Sequence, residues 1–156
     1  MIEIDIPGFG ELRLTELVCD YNGTLAVDGA LLPGVADALA RLAPKLRTHV
    51  ITADTFGTVR DELAGLALTV VPIGAAAQAE AKLDYVTRLG AEQVVAIGNG
   101  RNDRMMLATA GIGIALIQGE GAAGQSVVCA DVVVMGILDA LALLTHPRRL
   151  VATLRS

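Results

Sequence analysis

Ile2, Ile4 and Ile6 alternate with Glu3 and Asp5, and Leu12 and Leu14 resume the alternation beyond Pro7-Gly8-Phe9-Gly10. A period of two on either side of a Pro/Gly turn predicts an edge β-hairpin within Met1 to Leu17. The pattern then changes. Glu16 to Asp20 is a short run with little polar alternation, as expected of a strand covered on both faces. Leu25 to Pro33 reads as a loop, and Val35 to Ala43 carries helical spacing. From there strands and helices take turns. Strands are expected at Thr48 to Thr52, Leu68 to Val71, Gln93 to Ile97, Gly113 to Leu116 and Asp131 to Val134. Helices are expected at Thr58 to Ala64, Ala76 to Leu89 and Asn102 to Ala108, and Gly119 to Gln125 is a loop or short helix. Leu138 to Leu144 and Pro147 to Leu154 close the chain as helices, with Thr145 the expected N-cap of the last and Pro147 in its first turn.

Short apolar strands separated by helices predict an α/β fold: a doubly wound, Rossmann-like parallel sheet with helices on both faces and a hairpin at the N-terminus. No repeat, linker or low-complexity tract interrupts the pattern, so residues 1–156 are expected to form one domain.

Composition narrows the function. Hydrophobic residues make up 53% of the chain and aromatic residues 3%, with no Trp, so Ala, Val, Leu and Ile must build the core. No apolar stretch is long enough for a bilayer span, and no membrane partner is expected. The net charge of −5 argues against nucleic acid. The basic group of Arg148, Arg149 and Arg155 is assigned to helix ends or solvent. Cys19 and Cys129 each stand in an apolar run beside an aspartate, and both are expected to be buried free thiols. The N-terminus lacks the pattern of a signal peptide, so a cytoplasmic protein is expected, and Asn22-Gly23-Thr24 is not taken as a glycosylation site.

Ligands of doubly wound sheets bind beyond the carboxyl ends of the strands. The residues just past each strand are therefore informative. Asp20, Asn22 and Thr24 follow the first strand of the sheet; Thr52, Ala53 and Asp54 follow the second. Gly98-Asn99-Gly100-Arg101-Asn102-Asp103 follows a later one, and Lys82 lies on the helix between. Asp54 and Arg101 read as surface loop residues, and Asp28, Asp131 and His49 as structural. Gly98 and Gly100 are assigned to a tight turn.

In this order the residues resemble the four motifs of the haloacid dehalogenase superfamily. Asp20-Tyr21-Asn22-Gly23-Thr24 resembles Asp-x-Asp-Gly-Thr; Val50-Ile51-Thr52 is similar to the second motif and Lys82 to the third. Gly98-Asn99-Gly100-x-Asn102-Asp103 resembles Gly-Asp-Gly-x-Asn-Asp. The likeness runs from about Leu17 to Leu144 and is nearest to the phosphorylation domain of P-type ATPases and their small soluble relatives. It implies a hydrolase using Mg²⁺ and an aspartyl-phosphate on a small phosphate ester or acyl phosphate. Asp20 is then the nucleophile, with Asn22, Thr52 and Lys82 completing the catalytic set. Gly23, Thr52, Ala53 and Lys82 bind phosphate, and Asp20, the Asn22 carbonyl, Asn99 and Asp103 take the metal. The loops Leu25 to Pro33 and Asp54 to Thr58 are too short for a cap domain, and the apolar content is compatible with a homo-oligomer.

Two positions depart from the family pattern. Asn22 stands where the superfamily's phosphatases place a general acid and base, although the ATPases also lack an acid there. An amide cannot transfer that proton, and losing such a group slows catalysis on the order of 10² to 10⁴. Asn99 stands where the motif usually has a metal-binding aspartate. Three readings stay open: a slow phosphohydrolase restricted to activated phosphates, a phosphate-binding or regulatory protein on the same scaffold, and a receiver-like domain. The last is disfavoured, because no acid other than Glu16 lies close before Asp20.

Overall fold

The computed structural model describes residues 1–54 and 57–156. Thr55 and Phe56, inside the Asp54 to Thr58 stretch, lie outside the described residues. Strands β1 (Ile2–Ile6) and β2 (Gly10–Leu14) pair antiparallel with Ile2 opposite Leu14, forming the N-terminal hairpin. Strand β3 (Glu16–Asp20) enters the main sheet. The stretch expected to be a plain loop after it contains two short strands, β4 (Ala26–Val27) and β5 (Ala30–Leu31). Then come α1 (Val35–Leu42), β6 (Arg47–Thr52), α2 (Thr58–Glu62), β7 (Leu68–Pro72) and α3 (Gln78–Leu89). The last part holds β8 (Val94–Gly98), α4 (Arg104–Thr109), β9 (Ile112–Leu116), α5 (Gly124–Cys129), β10 (Val132–Val134), α6 (Ile137–Thr145) and α7 (Arg148–Leu154).

The six-stranded sheet has the order β10-β9-β8-β3-β6-β7, and every neighbouring pair is parallel. Successive residues of β3 face opposite sides. Leu17 and Cys19 join the core that holds the hairpin, α1, α6 and α7, whereas Val18 joins a second core with Val86 of α3 and Met106 and Leu107 of α4. This is why β3 reads as an unbroken apolar run: both of its faces are covered. After β3 the chain winds outward through β6 and β7, then crosses back to place β8 on the other side of β3. The carboxyl ends of β3 and β8 therefore flank the crevice where the direction of winding reverses, the expected position of a ligand site.

Three local expectations are corrected. Thr145 is the last residue of α6, its hydroxyl donating to the Ala142 carbonyl at 3.1 Å, and α7 starts at Arg148 without a side-chain cap. Cys129 is exposed at the end of α5, a helix that continues past the Ala/Gly-rich stretch; Cys19 alone is buried. Burial, and then the Asp20 charge, push the Cys19 thiol far up, so it stays inert. The helix expected from Asn102 begins as a 3₁₀ turn, Arg101–Asp103, before α4. Among the described residues no helix is long and apolar enough to cross a membrane.

Candidate active site

Asp20 ends β3, and its neighbour across the ladder is Ile51, one residue before Thr52. Lys82, five residues into α3, reaches the same point. Its ammonium donates to Asp20 Oδ1 at 2.7 Å, to Asp103 Oδ1 at 2.6 Å and, more weakly, to Asn102 Oδ1 at 3.4 Å. All three ammonium protons thus have acceptors. Lys82 and Asp103 are almost fully buried, and Asp20 keeps a small exposure. Burial alone would depress the Lys82 ammonium, but the charges of Asp20 and Asp103 outweigh it and hold the group above its ordinary value. Burial, followed by the Asp103 charge, raises the Asp20 carboxyl well above the usual carboxylate range, with Lys82 pulling the other way.

The rest of the site holds this trio in place. Asp103 Oδ2 accepts the backbone N–H groups of Asn99 at 3.0 Å and Gly100 at 2.8 Å, folding the loop after β8 around one carboxylate. Gly98 is needed here for space rather than for a turn: a Cβ would lie 2.5 Å from the Asp103 carboxyl. Asn102 donates to Gln78 Oε1 at 2.6 Å, which ties that loop to the start of α3. The residue before α3, Ala77, adopts the left-handed conformation at φ 53°, a costly geometry for a residue with a Cβ. Thr52 is buried, and its hydroxyl oxygen accepts the Asp54 N–H at 3.0 Å. Asp54, expected to be a plain surface residue, accepts the Val59 N–H at the start of α2.

Asn22 is exposed beside Asp20. Together with Tyr21 and Ala53 it lines an adjoining cavity of about 580 Å³, to which Asp28, Asp54 and Glu62 bring carboxylates. Asn99 is buried, and both ends of its amide are engaged: Oδ1 accepts from the Thr24 hydroxyl at 3.3 Å and Nδ2 donates to the Gly121 carbonyl at 3.0 Å. Its side chain is thereby held against the loop after β9. Gly119 to Gln125 is expected from the sequence as a loop or short helix, but no motif there points to a place in the site.

The donor set around Asp20 is all oxygen: two carboxylates with nearby carbonyls. That chemistry fits Mg²⁺, which retains several waters and commonly takes one or two carboxylates. Among the described residues no group of three or more acidic, His or Cys side chains converges to hold a metal. Any cation here relies on few charges.

His49, Glu16 and Tyr85 form a second polar chain at the other end of the sheet. His49 Nε2 lies 2.9 Å from Glu16 Oε2, and the Tyr85 hydroxyl lies 2.8 Å from His49 Nδ1. Asp131 is also structural, accepting the Gly113 N–H at 2.8 Å.

Residues 78–127 match the family model described as haloacid dehalogenase-like hydrolase. An uncharacterized protein of Methanocaldococcus jannaschii is 43% identical over 79 residues, covering 48% of this chain and 85% of that protein. Two solved structures are similar in fold. One is the 3-deoxy-D-manno-octulosonate 8-phosphate phosphatase of Moraxella catarrhalis in complex with magnesium, phosphate and its sugar. It has a TM-score of 0.66, 17% identity and coverage of 90% of this chain and 92% of that one. The other is a zinc-transporting PIB-type ATPase in its E2.Pi state, with a TM-score of 0.59, 24% identity and coverage of 79% of this chain and 20% of that one.

Proposed function

This chain belongs to the haloacid dehalogenase-like hydrolases, and from that premise we propose that it is a phosphohydrolase that works through an aspartyl-phosphate on Asp20 and favours activated phosphates. The observation that carries this reading is the Lys82 ammonium clamped between Asp20 and Asp103 at the point where the sheet reverses its winding. Lys82 fixes Oδ1 of Asp20, so the carboxylate is oriented before substrate arrives. An Asp20 oxygen attacks phosphorus, the bond to the leaving oxygen breaks, and that oxygen departs with the electron pair. Thr52, whose oxygen already accepts the Asp54 N–H, keeps its hydroxyl proton for a phosphoryl oxygen. Lys82 and backbone N–H groups near Asn22 and Ala53 offset the charge that accumulates, whereas the Gly23 N–H, expected to bind phosphate, instead donates to the Ala26 carbonyl at 2.7 Å. Water then attacks phosphorus, the bond to Asp20 breaks, and the free carboxylate and inorganic phosphate result. Asp20, the Asn22 carbonyl and Asp103 would hold Mg²⁺, with Asn99 as a neutral neighbour, and the ion would supply further positive charge at the phosphoryl group.

Asn22 sets the scope of the reaction. It has no proton to give the leaving group and cannot deprotonate the water. Esters and acyl phosphates whose leaving groups depart as stable anions suffer least. The carboxylates of Asp28, Asp54 and Glu62 around the adjoining cavity favour a neutral or cationic leaving group over a second phosphate. The test is hydrolysis of an aryl phosphate with and without Mg²⁺, by the native protein and by Asp20→Asn. Turnover that needs both the metal and Asp20 is the expected result. Turnover that persists in Asp20→Asn would sink the mechanism. Phosphate binding without turnover in the native protein would favour the regulatory reading, for which the exposed, proton-inactive Asn22 is the motivating observation.

A further inference from the structure

Gly23 follows Asn22 at φ +78°, and its surroundings leave no room for a side chain. A Cβ there would lie 2.5 Å from Asn99 Nδ2, 2.7 Å from Asn99 Oδ1 and 2.8 Å from Glu120 Oε2. A neutral amide from the loop after β8 and a carboxylate from the loop after β9 thus converge on the backbone beside the nucleophile. Glu120 is held there from both sides. Two residues earlier, Gln118 Nε2 donates to the carbonyls of Gly23 at 3.0 Å and Thr24 at 2.6 Å. One residue later, the Gly121 carbonyl accepts from Asn99 Nδ2 at 3.0 Å, and the Ala123 N–H donates to the Asn99 carbonyl at 2.8 Å. The stitching fixes the loop, while the Glu120 side chain itself stays exposed.

We propose that Glu120 supplies the divalent cation of this site with the carboxylate charge that Asn99 lacks, acting through one of the cation's waters. The inference rests on the reading above that the site takes Mg²⁺. Asp20 and Asp103 already share the Lys82 ammonium, and the Asn99 amide is engaged by Thr24 and Gly121. A carboxylate carried on a pinned loop beside Gly23 restores the missing charge without any residue of the four motifs. Mg²⁺ keeps several waters, so a carboxylate one water away still contributes.

The test is a Mn²⁺ titration followed by electron paramagnetic resonance of the free ion, with no substrate present. Native protein, Glu120→Gln, Asp103→Asn and a surface control on the N-terminal hairpin, Glu11→Gln, are compared. Glu120→Gln is expected to weaken Mn²⁺ binding on the order of 10-fold, with an unchanged thermal midpoint because the side chain is exposed. Glu11→Gln is expected to bind like the native protein. Equal affinity in Glu120→Gln and the native protein would overturn the role of Glu120 while leaving the metal reading intact, provided Asp103→Asn still loses binding. An equal loss in Glu120→Gln and Glu11→Gln would reduce the effect to bulk charge and also overturn it. No Mn²⁺ binding by the native protein would overturn the metal reading itself, and the Glu120 assignment with it.

Discussion

Glu16 and Asp20 open and close the same strand, yet their environments drive them in opposite directions. Arg47 Nε donates to both Glu16 oxygens, at 2.9 and 3.1 Å, and His49 meets Oε2 at 2.9 Å. Burial alone would raise the Glu16 carboxyl, but the hydrogen bonds and charges of Arg47 and His49 outweigh it and hold the group below its ordinary value. Asp20 has Lys82 on Oδ1, but it shares that cation with Asp103, and burial together with the second carboxylate raises it instead. One acid is held ionised in a structural brace. The other is a charge whose cation is divided between two claimants, the condition of a group prepared to react. What separates them is the number of carboxylates per cation.

The largest expected effect tests the Asp20 end. Asp20→Asn should reduce aryl phosphate turnover to background while the fold is kept, read by initial rates and circular dichroism. Glu16→Gln should keep turnover. Next comes the shared cation. Lys82→Met leaves Asp20 and Asp103 buried without a counter-charge, and denaturant unfolding should show a loss of about 3–5 kcal/mol. A loss well below 1 kcal/mol would mean that the trio is not the tight ionic cluster described.

Asn22→Asp tests the chemistry around Asp20 with little effect on the fold. It should raise hydrolysis of alkyl phosphates on the order of 10² while aryl phosphates gain less. Equal gains on both would count against the account of Asn22. Being exposed, the substitution should shift stability by no more than about 0.5 kcal/mol.

The smallest expected effect lies at the structural end. Arg47 is exposed, so Glu16→Gln should cost only about 1 kcal/mol at neutral pH. The sign with pH is definite. A carboxyl held lower in the folded than in the unfolded protein stabilises above its ordinary value of 4.5, and that contribution fades as pH falls below it. Thermal midpoints of the native protein and Glu16→Gln should therefore converge as pH drops from 6 to 3.

Residues that act through the local chain were legible in the sequence. Asp20 and Thr52 end their strands, and Lys82 falls on the helix between β7 and β8, because strand ends and helical spacing are local properties. The alternation of strands and helices likewise led to the doubly wound sheet. What could not be read depended on distant partners. Asn99 matches a metal-ligand position, but Thr24 and Gly121, from two other loops, determine where its amide points. Gly98 resembled a turn glycine until Asp103 was seen packed against it. Glu16 and His49 carried no motif, since their chain closes through Tyr85 on another element. Thr145 failed as a cap because the apolar pattern of α6 runs through to it, and propensity alone does not choose between ending one helix and starting the next.

The crossing from β7 back to β8 also gives the two acids different histories during synthesis. Arg47 follows Glu16 by 31 residues, so the brace can close as soon as β3 meets β6. Lys82 follows Asp20 by 62 residues, and Asp103 arrives later still. Pairings between residues far apart in the chain are slow to form. While the first half of the sheet assembles, the β8 side of β3 remains an open edge and Asp20 remains hydrated. The Asp20 carboxylate then loses its water only when its cation docks. Pulse-labelled hydrogen exchange should accordingly find amides of the β3–β6 ladder protected before those of β8, and simultaneous protection would show that the two halves fold as one step.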